Sequence, residues 1–215
     1  MRILKTQTLR GPNYWSIRHP NLILIRLDLE DLEDRPSDQI PGFYEALADT
    51  LPSLIEHFCS PGHRGGFLSR VRQGTYMGHI VEHVALELQT IAGMAVGFGR
   101  TRSTSEHGVY QVVFEYVSEQ AGRYAARAAV RICNSLVETG HYPKEELEKD
   151  LADLADFRLE SALGPSTEAI VREAEAKEIP WMQLPTRAMI QLGYGRYQQR
   201  VQATLSSRTG ILGVE

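Results

Sequence analysis

Residues 78–89, Gly-His-Ile-Val-Glu-His-Val-Ala-Leu-Glu-Leu-Gln, constrain the fold more than any other stretch. At about 100° per residue, Val81, Val84, Ala85, Leu88 and Ile91 fall on one side of a helix. His79, Glu82, His83, Leu86, Glu87 and Thr90 fall on the other. A stripe that apolar has to rest on a core, so the rest of the chain must supply a sheet or further helices beneath it.

The candidates for that support are legible. Residues 2–9 and 22–29 are short and rich in leucine and β-branched residues, which predicts two strands joined by a polar loop. Residues 109–117 form the clearest strand. Pro41-Gly42 opens a helical pattern through Phe43, Leu47 and Leu51, and Pro52 kinks it or starts a second helix ending near Phe58. A helix from Glu119 to about Glu138 is stopped by Gly140 and Pro143. From Lys144 to Ser161, the charges of Glu145, Glu146, Glu148, Lys149 and Asp150 oppose Leu147, Leu151 and Leu154, and read as a wet face. These elements predict an α+β domain over 1–160, a mixed or antiparallel sheet with packed helices.

At Leu163-Gly164-Pro165 the pattern changes. A helix (167–177), a strand (180–184), a short helix (186–192), strand-like segments (195–198 and 200–205) and an apolar strand at 211–214 read as the opening of an α/β domain over 161–215. The chain is expected to stop inside it.

Of 215 residues, 42% are apolar and 23% charged, ordinary globular values. A net charge of −4 lacks the basic excess of a general nucleic-acid binder, and no apolar run is long enough to span a membrane. The start, Met1-Arg2-Ile3-Leu4-Lys5-Thr6, is not a signal peptide, so a cytoplasmic location is expected, with Cys59 and Cys133 as reduced thiols. Cys133 falls in an apolar helix pattern and reads as core.

The polar side of the 78–89 helix carries the chemistry. H-x-x-E-H is the ligand order of the inverted zinc peptidases, in which both imidazoles hold Zn²⁺ and the acid takes a proton from water. Here that assigns His79 and His83 as metal ligands and Glu82 as general base. A third ligand must come from elsewhere. Glu115 is the first choice, a carboxylate sharing a strand face with Gln111, Val113 and Val117, where it is costly unless paired or bound. Glu87 is next and Glu119, at a helix start, third. The alternative is a solvated helix face.

Two loops add candidates. In Cys59-Ser60-Pro61-Gly62-His63-Arg64-Gly65-Gly66 the glycines allow several N–H groups to turn toward one anion, with Arg64, Arg70 and Arg72 close by, although a plain connection explains such a run as well. The loop leads straight into the histidine helix. Tyr14 and Trp15 either form a binding lip or pack on the sheet.

Several stretches together resemble the amino-terminal portion of cyanophycin synthetases. They are residues 5–16, 59–67, 78–89, 96–102 and 163–170. The resemblance implies an enzyme that uses ATP and Mg²⁺ to build a poly-aspartate backbone and attach arginine to each side chain. It also implies that an ATP-grasp module begins at about 161, and that nucleotide and ligase residues lie beyond Glu215. The fragment by itself is then not a ligase. Each unit of such a polymer offers a guanidinium and a carboxylate, so a docking surface needs both signs. Arg64, Arg70, Arg72, Arg100 and Arg102, with Glu82, Glu87 and Glu115, are the candidates.

Three functions compete at this point. The first is a module that holds the cyanophycin polymer near the ligase centres. The second is a zinc hydrolase that cuts it into primers. The third is a structural domain supporting a homo-oligomer.

Overall fold

The computed structural model describes residues 1–184, 189–203, 205, 206 and 209. The chain divides into two compact units, Met1–Leu159 and Glu160–Glu215.

In the first unit β1 (Arg2–Leu9), β2 (Leu22–Asp28), β3 (Gly99–Ser103) and β4 (Val109–Glu115) form an antiparallel sheet in the order β1-β2-β4-β3. Alternation along the two central strands gives the sheet two apolar faces. Ile23, Ile25, Leu27, Val112 and Phe114 join the main core, on which α3 (Met77–Ile91) and α4 (Glu119–Thr139) lie. Leu22, Leu24 and Val113 face the other way and are covered by Trp15, so the 10–21 loop packs on the sheet and leaves Tyr14 exposed at its tip. Cys133 lies in the main core.

Helices α1 (Phe43–Thr50) and α2 (Gly66–Gln73) complete the helical layer. Pro52 starts a 3-10 turn, Pro52–Glu56, rather than a second α-helix. Its ring has no N–H to continue the ladder of α1. Helix α5 (Lys144–Glu160) is amphipathic, but its charges are not all wet. Asp150 is buried and accepts hydrogen bonds from the hydroxyls of Tyr124 (2.7 Å) and Tyr142 (2.7 Å) and from Arg131 (2.5 Å). A carboxylate is tolerated there because donors surround it.

The second unit differs from the expected α/β alternation. After α6 (Pro165–Ala176) come β5 (Trp181–Gln183), β6 (Met189–Leu192), β7 (Gln199–Gln202) and β8 (Leu205–Ser206), an antiparallel sheet in sequential order. Of the short helix expected over 186–192, residues 186–188 lie outside the described residues, and 189–192 pair with β5 on one side and β7 on the other. Four residues close at most one turn of helix, whereas two flanking strands satisfy their backbone groups. Gly195–Tyr197 is a 3-10 turn, and the strand expected over 200–205 breaks at Ala203 into β7 and β8. The strand expected at 211–214 lies outside the described residues. No helix among the described residues is long and apolar enough to cross a membrane.

Candidate functional site

The polar side of α3 is not a wet surface. From Met77 to Gln89 every residue except His79 is buried, and Glu82, His83 and Glu87 retain 5%, 8% and 2% of their accessible area. They floor a cleft of about 980 Å³. One wall is the loop from Ser53 to Ser60; the other runs from Val96 to Arg102, including most of β3.

The loop wall is fixed by backbone bonds. Gly65 N–H donates to Ile55 O (2.6 Å) and Phe67 N–H to His57 O (3.1 Å), folding the loop back onto the start of α2. Gly66 makes this possible, since a Cβ there would lie 2.0 Å from the Phe58 carbonyl oxygen. The anion cradle considered for this loop is not formed. Gly62 N–H donates to Cys59 O and Gly66 N–H to His63 O, so with Gly65 these amides are already committed inward.

Cys59, held at a positive φ of 52°, projects toward α3. Its Sγ lies 3.3 Å from His79 Nε2, and ligand atoms of Cys59, His79 and His83 all fall within 4.8 Å of one another. Thr75 Oγ1 contacts the other nitrogen of His79 at 3.1 Å. The His83 ring stacks on Phe67 at 4.0 Å, and its Nδ1 lies 2.8 Å from His57 Nδ1. The opposite nitrogen of His57 meets Glu87 Oε2 at 2.7 Å. With a carboxylate at Glu87 and neutral rings, His57 donates to Glu87 and accepts from His83, leaving His83 Nε2 with a bare lone pair.

The third donor beside the imidazole pair is therefore Cys59 and not Glu115. Glu115 belongs to the sheet face turned away from α3. Its Oε1 meets His19 Nδ1 (3.0 Å), and its Oε2 accepts from the N–H groups of Gly97 (3.1 Å) and Phe98 (3.2 Å). Alternation tied Glu115 to Val113, but which face would meet the helices depended on tertiary packing. Glu87 enters the cluster through His57, and Glu119 is paired with Arg10, Arg123 and Thr8. Cys59 and His57 were missed as partners. The loop expected to lead straight into the histidine helix leads instead into α2 (Gly66–Gln73), and it reaches α3 only by packing.

Glu82 lies one turn along the same floor. Its Oε2 accepts from Thr101 Oγ1 at 2.6 Å, and Gly99 packs so closely that a Cβ would sit 2.5 Å from its Oε1. Burial raises the Glu82 carboxyl to about 7, against the opposing pull of the Thr101 hydrogen bond and the Arg100 charge. Of the five arginines, Arg70, Arg100 and Arg102 line the cleft. Arg64 does not line it but pairs with Glu56, which does (2.9 Å), and Arg72 stacks over Tyr44 at 4.4 Å away from the lining.

Burial, reinforced by Arg70, lowers His79 to about 4. His83 falls to about 2 for the same first reason, with His79, His57 and Arg70 adding to it. The unfolded chain takes up protons near pH 6.5 that the folded site refuses, so both histidines withdraw stability as pH falls from 6.5 toward 4. Glu82 acts oppositely, because the fold keeps its proton between about 7 and the ordinary 4.5. Two histidines against one glutamate leave a net loss of ~1.4 kcal/mol per pH unit between roughly pH 6 and 4.5. Urea midpoints of the metal-free protein should fall over that range and level off in His83→Gln. An unchanged slope in the variant would remove His83 as the cause.

The fold and this cleft define a class: an α+β domain whose central helix turns a face of histidines and glutamates inward to a cleft. The chain belongs to the family described as Cyanophycin synthase-like N-terminal domain, which matches residues 24–138. It is 73% identical over all 215 residues to a protein named cyanophycin synthetase from Synechocystis sp. and 70% to one from Geminocystis herdmanii. A third, from Crocosphaera subtropica, is 68% identical. The chain spans 25% of the length of each of these relatives.

Proposed function

We propose that this chain is the amino-terminal part of an ATP-dependent ligase that makes multi-L-arginyl-poly-L-aspartate, and that its cleft holds that polymer near ligase centres elsewhere in the enzyme. The observation carrying this reading is the cleft's charge pattern. Arg70, Arg100 and Arg102 line it together with Glu56, Glu82 and Glu87, a surface of both signs whose exposed arginines suit the carboxylates of a ligand that also carries guanidinium groups. Holding the chain keeps its end at high effective concentration, a role that needs no chemistry from residues 1–160. In this reading 161–215 begin the ATP-grasp module, and ATP and Mg²⁺ are used by the full-length, cytoplasmic, homo-oligomeric enzyme.

Polymer binding tests it. Reversing charge in Arg100→Glu/Arg102→Glu should weaken binding roughly tenfold or more at low salt, with a smaller loss at high salt. Arg72→Glu, outside the cleft and stacked over Tyr44, should have little effect. Equal losses from both variants would mean that the polymer sticks to general charge and not to the cleft.

A second reading is favoured by the Cys59, His79 and His83 cluster. One thiolate and two imidazoles are a zinc donor set, and the 3.3 Å from Sγ to Nε2 is close to the roughly 3.5 Å between two ligand atoms of tetrahedral zinc. Zinc held there would supply a Lewis acid and a readily deprotonated water. Glu82 would take that water's proton and pass it to the leaving amine, with Thr101 orienting the carboxylate. Such a site cuts the aspartate backbone, producing short ends on which synthesis can begin.

A further inference from the structure

Among the described residues β3 is an edge strand, bonded to β4 on one side only. Phe98 O accepts from Glu115 N–H, and Thr104 N–H donates to Val109 O. In the same register Arg100 faces Val113 and Arg102 faces Gln111. In an antiparallel ladder alternate residues share the bonding role, so Phe98, Arg100, Arg102 and Thr104 turn their backbone groups to β4. Gly99, Thr101 and Ser103 turn theirs to the open edge. Gly99 and Thr101 line the cleft, and Thr101 touches Glu82.

We propose that the polymer's backbone binds as an added strand along this open edge of β3, its N–H and C=O groups pairing with Gly99, Thr101 and Ser103. This rests on the polymer-holding reading and specifies how the same cleft performs it. Main-chain pairing provides affinity for any extended peptide, and side chains on alternate sides provide the selection. The strand's own alternation sets those sides. Arg100 and Arg102 lie on the face that carries Trp15 and Phe98, with Arg102 5.3 Å over the Trp15 ring and Arg100 5.7 Å over that of Phe98. Thr101 lies on the face toward α3. Every second residue of an added strand therefore meets arginines, and the intervening ones point to Glu82 and the histidine floor.

Charge decides which occupant fits. A bare edge invites any other edge, and proteins blunt such strands by keeping them short and charged. The five residues of β3 carry two arginines and no apolar side chain, which discourages an apolar strand and suits a chain whose every unit carries a free carboxylate. Placed there, the guest backbone also passes directly over Glu82, where a held chain and a cut chain would occupy the same track.

Amide hydrogen exchange on the whole chain, with a short poly-L-aspartate peptide and its arginine-grafted counterpart as probes, tests the geometry. Saturating peptide should slow exchange at Gly99, Thr101 and Ser103 by roughly tenfold or more, leaving Arg100, Arg102 and the amides of β1, the sheet's other edge, unchanged. Peptides N-methylated at alternate residues should lose binding in one phase and keep it in the other. Binding without protection at those three amides, or equal loss in both phases, overturns strand pairing and leaves polymer holding intact. Failure of both peptides to bind would overturn the holding reading and this inference with it.

Discussion

Under the hydrolase reading, Glu82→Gln should abolish cutting of the polymer while leaving zinc and polymer binding in place. The substitution keeps the shape of the side chain and its contact with Thr101 but removes the proton acceptor. Loss of a general base costs typically 10²–10⁴-fold, so a product ladder visible with the wild-type chain within an hour should be absent from the variant. Stability separates this from misfolding. At pH 8 the wild type holds an ionised carboxylate whose proton affinity burial has raised to about 7, an unfavourable term on the order of 3 kcal/mol that glutamine does not carry. The variant should therefore be at least as stable as the wild type above pH 7. If polymer binding disappears with cutting, Glu82 is a recognition residue and its assignment as a base is wrong.

The second large effect concerns the metal. Cys59→Ala should lower zinc affinity by more than the roughly 10- to 100-fold that loss of an outer hydrogen-bond partner costs, because a ligand atom itself is removed. Glu115→Gln should leave affinity within about twofold, since its carboxylate serves His19 and the amides of Gly97 and Phe98. Competition with a chromogenic chelator measures both. The reverse order of effects would restore Glu115 as the ligand and make the thiol a bystander. A wild-type chain that binds no zinc at stoichiometric supply would remove the hydrolase reading, and polymer holding would stand without it.

These two predictions also mark how far the sequence could be read. Period 3.6 over residues 78–89 placed His79, Glu82 and His83 together because that relation is local: a helix fixes it within one turn. Runs rich in leucine and β-branched residues marked β2 and β4, and alternation along β4 grouped Glu115 with Val113. What local pattern lacks is the sign of a face. Glu115 was grouped correctly with Val113, yet that whole face turned toward Trp15 and away from α3. Cys59 and His57 reach the site through a loop closed by backbone bonds at Gly65 and Phe67, a tertiary fact with no period. In the second unit, Met189 to Leu192 became a strand because neighbours on both sides offered pairing, which no four-residue pattern announces. Asp150 reads as one more charge on a charged helix, and only its three donors explain its burial.

The contact between Gly99 and Glu82 sets how tightly the edge strand shuts over the acid. Any larger residue forces the Glu82 side chain or the strand to shift, and a carboxylate moved toward water would drift back toward the acidity of a free glutamate. It would then sit ionised throughout the neutral range. The absence of a single methyl group at position 99 thus tunes the pH at which this cleft changes charge.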